Sequence, residues 1–135
     1  MKKGSEKMKK SKILIVEDDF IQFMSAEMWM RSWGYDVLGP ASSSEQALEI
    51  TERERPDVIL MDVRIQGNMD GIDTAGLIAE QFKIPVIFTT GYDHGDIHQR
   101  MQTVKYAAVL VKPYGKHELK AAIETYIAGN LLDGH

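Results

Sequence analysis

The chain has 135 residues, one domain's length, with 44% apolar residues to build a core and no cysteine, which excludes a disulfide framework, a zinc-thiolate site and a thiol nucleophile. No apolar stretch approaches the roughly 20 residues that span a bilayer and no charged-then-apolar leader opens the chain, so a soluble, unexported, cytoplasmic protein is expected. The net charge of −4 is uneven: six of the 16 Lys and Arg lie in the first twelve residues, leaving 10 basic against 19 acidic residues from Ile13 onward, an acidic body that argues against nucleic acid as a direct ligand.

The lysine-rich residues 1–11 read as a solvated, disordered tail rather than a nucleic-acid arm or a membrane tether. Lys12 to Val16 is a short β-branched run ending in Glu17-Asp18-Asp19, a buried strand with carboxylates at its C-terminal end. Phe20 to Trp33 predicts a helix with Ile21, Met24 and Met28 as its apolar stripe and Gly34 as its stop. Tyr35 to Gly39 predicts a second strand. Ser42-Ser-Ser-Glu45 fits a capping box that opens a helix running to about Arg53, ended by Arg55-Pro56.

Asp57 to Asp62 is a third apolar run closed by an acid, and the loop Val63 to Met69 follows it. Asp70 can cap a third helix in which Ala75, Ile78, Ala79 and Phe82 recur at helical spacing. Ile84 to Thr90 predicts strand four, Asp93 to Gln102 a short helix, and Ala107 to Val111 strand five. Lys116 to Ala128 predicts the last helix, with Leu119, Ala122, Ile123, Tyr126 and Ile127 on one face. Five strands alternating with five helices imply an α/β fold, a doubly wound five-stranded parallel sheet covered on both faces. The expected organisation is a single domain over 12–129, with a short C-terminal tail at 130–135.

In such sheets, ligands bind beyond the C-terminal ends of the strands. Those ends carry Glu17 and Asp18, Asp62, Thr90 and Lys112. Three carboxylates within about 5 Å repel by roughly 3 kcal/mol per pair at an effective dielectric near 20, so the cluster calls for a cation or protons. Hard oxygen ligands without cysteine or histidine favour magnesium or calcium, and a site with few protein ligands suits Mg2+. Beside a lysine and a hydroxyl, that ion would equip a phosphoryl transfer in which Asp62 is the nucleophile. His94 and His98 at i, i+4 lack a third ligand and read as a surface pair.

On these residues, together with Met69-Asp70-Gly71, Pro85 to Gly91 and Val111-Lys112-Pro113-Tyr114, the chain resembles a response-regulator receiver domain, the CheY-like phosphoacceptor of two-component signalling. The resemblance implies Asp62 as phosphoacceptor, with Glu17, Asp18, Asp62 and the backbone carbonyl of Arg64 as Mg2+ ligands. Thr90 and Lys112 would bind the phosphoryl group, and the bond to Pro113 is commonly cis in the family. Arg64 and Tyr92 occupy the positions that modulate phosphoryl lifetime, and Asp19 would cap the first helix. Val109 stands where most receivers place an aromatic switch residue. The loop also departs from the family, since eight residues separate Asp62 from Asp70 where seven are usual, and the family's proline is replaced by Ile65-Gln66-Gly67-Asn68.

The implied partners are a histidine kinase or histidine phosphotransfer protein, and a downstream protein on the helix-four, strand-five, helix-five face. The switch would be a monomer or a phosphorylation-dependent dimer, and not an enzyme beyond its own phosphorylation and dephosphorylation. Other readings fare less well. A flavodoxin-like nucleotide binder needs Gly, Ser and Thr after strand one, where Glu17-Asp18-Asp19 would repel phosphate. An aspartate-nucleophile phosphatase needs an acid at position 64, which is arginine. The intact set of Glu17, Asp18, Asp62, Thr90 and Lys112 speaks against a pseudo-receiver interaction module, and the chain is expected to be either a stand-alone receiver or a receiver cut from a larger regulator or hybrid kinase.

Overall fold

The computed structural model describes residues 10–91, 95–105 and 107–133. Its strands are β1 (Lys12–Val16), β2 (Asp36–Ala41), β3 (Val58–Asp62), β4 (Val86–Thr90) and β5 (Ala107–Val111). They form one parallel sheet in the order β2-β1-β3-β4-β5. The helices are α1 (Phe20–Ser32), α2 (Ser44–Glu54), α3 (Gly71–Phe82), α4 (Gly95–Gln102) and α5 (Lys116–Asp133). Among the described residues no helix is long and apolar enough to cross a membrane.

Successive strand residues point to opposite faces, so each strand feeds two cores. Leu14, Val16, Ile59, Met61 and Phe88 pack with Ala47, Ala75, Ile78 and Met101 beneath α2, α3 and α4. Ile13, Ile15, Val58, Leu60 and Ile87 pack with Phe23, Ala26, Met30, Leu119 and Ile123 beneath α1 and α5. Both central strands β3 and β4 are buried along their whole length, as unbroken apolar runs in a doubly covered sheet should be. β2 lies at the edge, which lets Pro40 sit inside it without removing a ladder hydrogen bond from the interior. The strand accordingly runs on to Ala41 rather than ending at Gly39, and both Gly39-Pro40 and Lys112-Pro113 are cis.

Asp19 caps α1, accepting from the amides of Ile21 and Gln22 at 3.0 and 3.3 Å, and Asp70 caps α3, accepting from Asp73 at 2.9 Å. α2 starts one residue later than the sequence pattern suggests: Ser43 is the cap, its hydroxyl accepting from the Gln46 amide at 3.2 Å. Gln46, not Glu45, closes the box, its side-chain oxygen accepting from the Ser42 amide at 2.8 Å. α5 continues to Asp133, past Gly129, so the expected boundary at 130 falls inside a helix. One glycine costs a helix about 1 kcal/mol and does not end it. The expected tail at residues 1–9, the start of helix four at Asp93, and His94 lie outside the described residues.

The stripe expected to bury α1 does the opposite. Ile21, Met24 and Met28 are 73%, 46% and 68% exposed, whereas Phe23, Ala26 and Met30 face the sheet. Both sets share the spacing i, i+3, i+7 and are offset by two residues, so on a helix apolar on both sides periodicity alone does not choose. Met30→Ala should therefore cost about 3 kcal/mol in urea denaturation, and Met28→Ala less than about 0.5 kcal/mol. Equal costs would mean that α1 is rotated about its axis.

Candidate functional site

The C-terminal ends of β1, β3, β4 and β5 open into one cleft of about 550 Å³, lined by Glu17, Asp18, Asp19, Gln22, Asp62, Arg64, Thr90, Gly91 and Lys112. Backbone bonds beyond the strands hold the rim. The Glu17 amide donates to Ala41 at 2.8 Å, Val63 to Thr89 at 3.1 Å and Lys112 to Thr90 at 2.7 Å. Gly71, the first residue of α3, donates to the Val63 carbonyl at 2.8 Å, and a Cβ there would collide with the Asp62 carbonyl oxygen. Only glycine lets α3 start this close to the end of β3.

Glu17, Asp18 and Asp62 each bring a carboxylate oxygen within 4.8 Å of the others, Glu17 and Asp62 buried and Asp18 exposed. The Lys112 ammonium donates to Glu17 Oε1 at 3.4 Å and to Asp62 Oδ2 at 3.3 Å, bridging the two buried acids. The other oxygens find backbone donors: the Asp19 amide reaches Glu17 Oε2 and the Arg64 amide reaches Asp62 Oδ1, both at 3.2 Å. The Arg64 peptide therefore lies directly beside the Asp62 carboxylate. Thr90, the last residue of β4, lines the cleft. Val109 is half-buried in β5, opposite Phe88. Tyr92 lies outside the described residues.

Burial pushes the Glu17 carboxyl up from 4.5 to about 7, and the neighbouring Asp62 charge adds to the rise against the pull of Lys112. Tyr114, half-buried where β5 leads into α5, feels the same field: desolvation first, then Glu17 and Asp62, raises its phenol to about 12. Two members of the neighbourhood had little sequence signal. Gln22 reaches the cleft because Asp19 starts α1 there, and Tyr114 packs edge-on against Trp29, ring centroids 6.4 Å apart. The three carboxylates, all hard oxygen donors, fit a hard divalent cation, which would offset the charge gathered beside the buried Glu17.

In cation-free protein the folded state keeps the Glu17 proton that the unfolded chain releases between pH 4.5 and 7. The stability this lends is intact below pH 4.5 and lost as pH rises to 7, by up to about 3 kcal/mol at 1.36 kcal/mol per pH unit. Glu17→Gln should flatten this fall in chelator-treated protein and raise the denaturation midpoint above pH 7. A variant with the wild-type pH profile would show that Glu17 titrates normally.

The model of the response regulator receiver domain family matches residues 13–124. The transcriptional regulatory protein PdtaR of Mycobacterium tuberculosis is 32% identical over 87% of this chain and 57% of its own length. Sporulation initiation phosphotransferase F of Bacillus subtilis is 33% identical over 89% of this chain and 96% of its own. Among solved structures, the receiver domain of a sensor histidine kinase from Pseudomonas aeruginosa PAO1, with a magnesium ion coordinated in its active-site cleft, aligns with a TM-score of 0.79 at 28% identity, covering 89% of this chain and 99% of that one. The chain spans little more than half of PdtaR, so what it shares with that protein is this one unit. Sheet order, strand-end acids and family match agree, and the chain belongs to the response-regulator receiver domains of two-component systems.

Proposed function

We propose that the protein is a phosphorylation-controlled switch in which Asp62 accepts a phosphoryl group from a histidine kinase or histidine phosphotransfer protein in the presence of Mg2+. The observation that carries this reading is the Lys112 ammonium lying 3.3 Å from Asp62 and 3.4 Å from Glu17 at the mouth of an acidic cleft. An Asp62 oxygen attacks phosphorus, the bond to the donor's imidazole nitrogen breaks, and the imidazole leaves with a proton, giving an aspartyl phosphate.

Glu17, Asp18, Asp62 and the Arg64 carbonyl are the residues that would hold Mg2+, which supplies positive charge to the phosphoryl oxygens when bound. Lys112 is placed to pair with a phosphoryl oxygen, and the Thr90 hydroxyl to donate to another once the group is in place. The Arg64 side chain would lie over the phosphoryl group and obstruct in-line attack by water, prolonging its life, and Tyr92 is the second residue to which we assign an effect on that lifetime. With Val109 in place of an aromatic residue, the switch passes from Thr90 to α4, β5 and α5 without an aromatic rotamer change.

A donor protein needs a surface beside the acceptor. The groove of about 430 Å³ between α1 and the turn after β5, lined by Ile21, Gln22, Ser25, Trp29, Lys112, Pro113 and Tyr114, shares Gln22 and Lys112 with the acidic cleft. Exposed Ile21, Met24 and Met28 extend it along α1, an apolar face at the edge of the acceptor site that supports docking of the donor there. The α4-β5-α5 face is left for the downstream partner.

Incubation with Mg2+ and acetyl phosphate should add one phosphoryl group by intact-protein mass, and Asp62→Asn or excess chelator should abolish the addition. Wild-type labelling of Asp62→Asn would move the acceptor elsewhere, and labelling that survives the chelator would remove the metal from the reaction.

A further inference from the structure

The loop between β3 and α3 is one residue longer than the family spacing and lacks its proline, yet it is held along its length by the N-terminus of α2. The Gln66 amide donates to the Ser42 carbonyl at 3.2 Å and the Ser44 amide donates to the Gln66 carbonyl at 3.0 Å, so Ser43 and Gln66 form a short parallel bridge. Two residues on, the Asn68 amide donates to Glu45 Oε2 at 3.4 Å, while the Ser44 hydroxyl, on a fully buried residue, donates to Glu45 Oε1 at 3.2 Å. Gly67, between them, has φ +109°, and a Cβ there would run into Glu45 Oε1 and Ser44 Oγ. The loop passes over α2 too closely for any side chain.

Glu45 is available for this because Gln46 closes the capping box in its place. Its carboxyl is held below the usual carboxylate range by backbone amides, its own and that of Asn68. At the other end the Arg64 amide is fixed to Asp62 Oδ1 and the Val63 carbonyl to the Gly71 amide. Arg64 thus follows directly on the anchored Val63 and stands two residues before the anchored Gln66, with only Ile65 between.

We infer that Glu45 and the Ser42–Ser44 backbone are positioning elements of the acceptor site, pinning residues 66–68 so that the Arg64 carbonyl is presented beside Asp62. The inference rests on the proposed Mg2+ site and adds to it the groups that fix one of its ligands. A loop already ordered loses less conformational freedom when a cation binds. Partners that orient a metal ligand typically alter affinity by 10- to 100-fold. Glu45, which acts through the backbone of another residue, belongs at the low end.

The test uses the full chain with Glu45→Ala, Glu45→Gln and Gly67→Val, read by amide hydrogen exchange in cation-free protein, by Mg2+ titration calorimetry and by urea denaturation. In Glu45→Ala, exchange at the Gln66 and Asn68 amides should quicken and the Mg2+ dissociation constant should rise about 10-fold. Glu45→Gln keeps an acceptor but not the charge, and should bind within about 2-fold of wild type, which separates the hydrogen bond from a helix-dipole effect. Gly67→Val should weaken binding at least as much as Glu45→Ala, and if it fails to fold the two Glu45 variants decide. Faster exchange with unchanged Mg2+ affinity, or unchanged exchange, overturns the inference, and a shift in urea midpoint alone marks Glu45 as merely structural. Wild type that binds no Mg2+ overturns both this inference and the metal site it rests on, whereas wild type and Glu45→Ala binding alike overturns this one only.

Discussion

Like-charged carboxylates brought into contact cost free energy unless something compensates them, and this protein brings three together at the ends of two buried strands. Lys112 supplies part of the compensation and can do so only because β5 ends level with β1 and β3 on the same edge of the sheet. Every crossover helix serves that arrangement. In a parallel sheet all strand ends of one polarity lie on one edge, so residues far apart in sequence, such as Glu17 and Lys112, meet without any loop reaching across the molecule. Burial first, and then the neighbouring Asp62 charge, raises the proton affinity of Glu17.

A site under this load needs a stiff frame, and the loop that follows Asp62 is tied on two sides. α2 holds its middle through the Ser43-Gln66 bridge. α3 and α4 hold its far end: the Arg100 guanidinium reaches Asp70 at 2.9 and 3.0 Å and Asp73 at 3.0 Å. Burial would raise the Asp70 carboxyl, but Arg100 and the amide of Asp73 outweigh it and hold the group below the usual carboxylate range. The same contact links α4, which belongs to the proposed output face, to the cap of the helix that begins against Asp62. The reach of the acceptor loop is thus set by the helices on one face of the sheet, while α1 on the other face contributes Gln22 to the cleft.

Much of the architecture was legible because it follows from local physics. Unbroken apolar runs such as Val58 to Asp62 and Val86 to Thr90 mark strands covered on both faces, and the caps at Asp19 and Asp70 need only an acid placed before a helical pattern. Two of the readings that failed were ties. Ile21, Met24 and Met28 have the same spacing as Phe23, Ala26 and Met30, and Ser42-x-x-Glu45 competes with Ser43-x-x-Gln46 as a capping box. A local pattern scores both members of each pair alike, and packing against the rest of the chain breaks the tie.

The sequence by itself determined the order of strands and helices, their alternation, and the residue types at each strand end, because period, propensity and capping are properties of short segments. It also carried the ordered set of motifs that marks the receiver family. Only the tertiary structure decided which face of α1 is buried, that the extra loop residue is absorbed against α2, and that Glu17 is buried beside Asp62 while Asp18 stays exposed. Each of these depends on depth of burial and on contacts between residues 20 or more positions apart, Glu45 with Asn68 and Lys112 with Asp62 among them. Such contacts leave no periodic trace in a single chain, since their energy is set by distance and dielectric after folding and not by neighbours along the backbone.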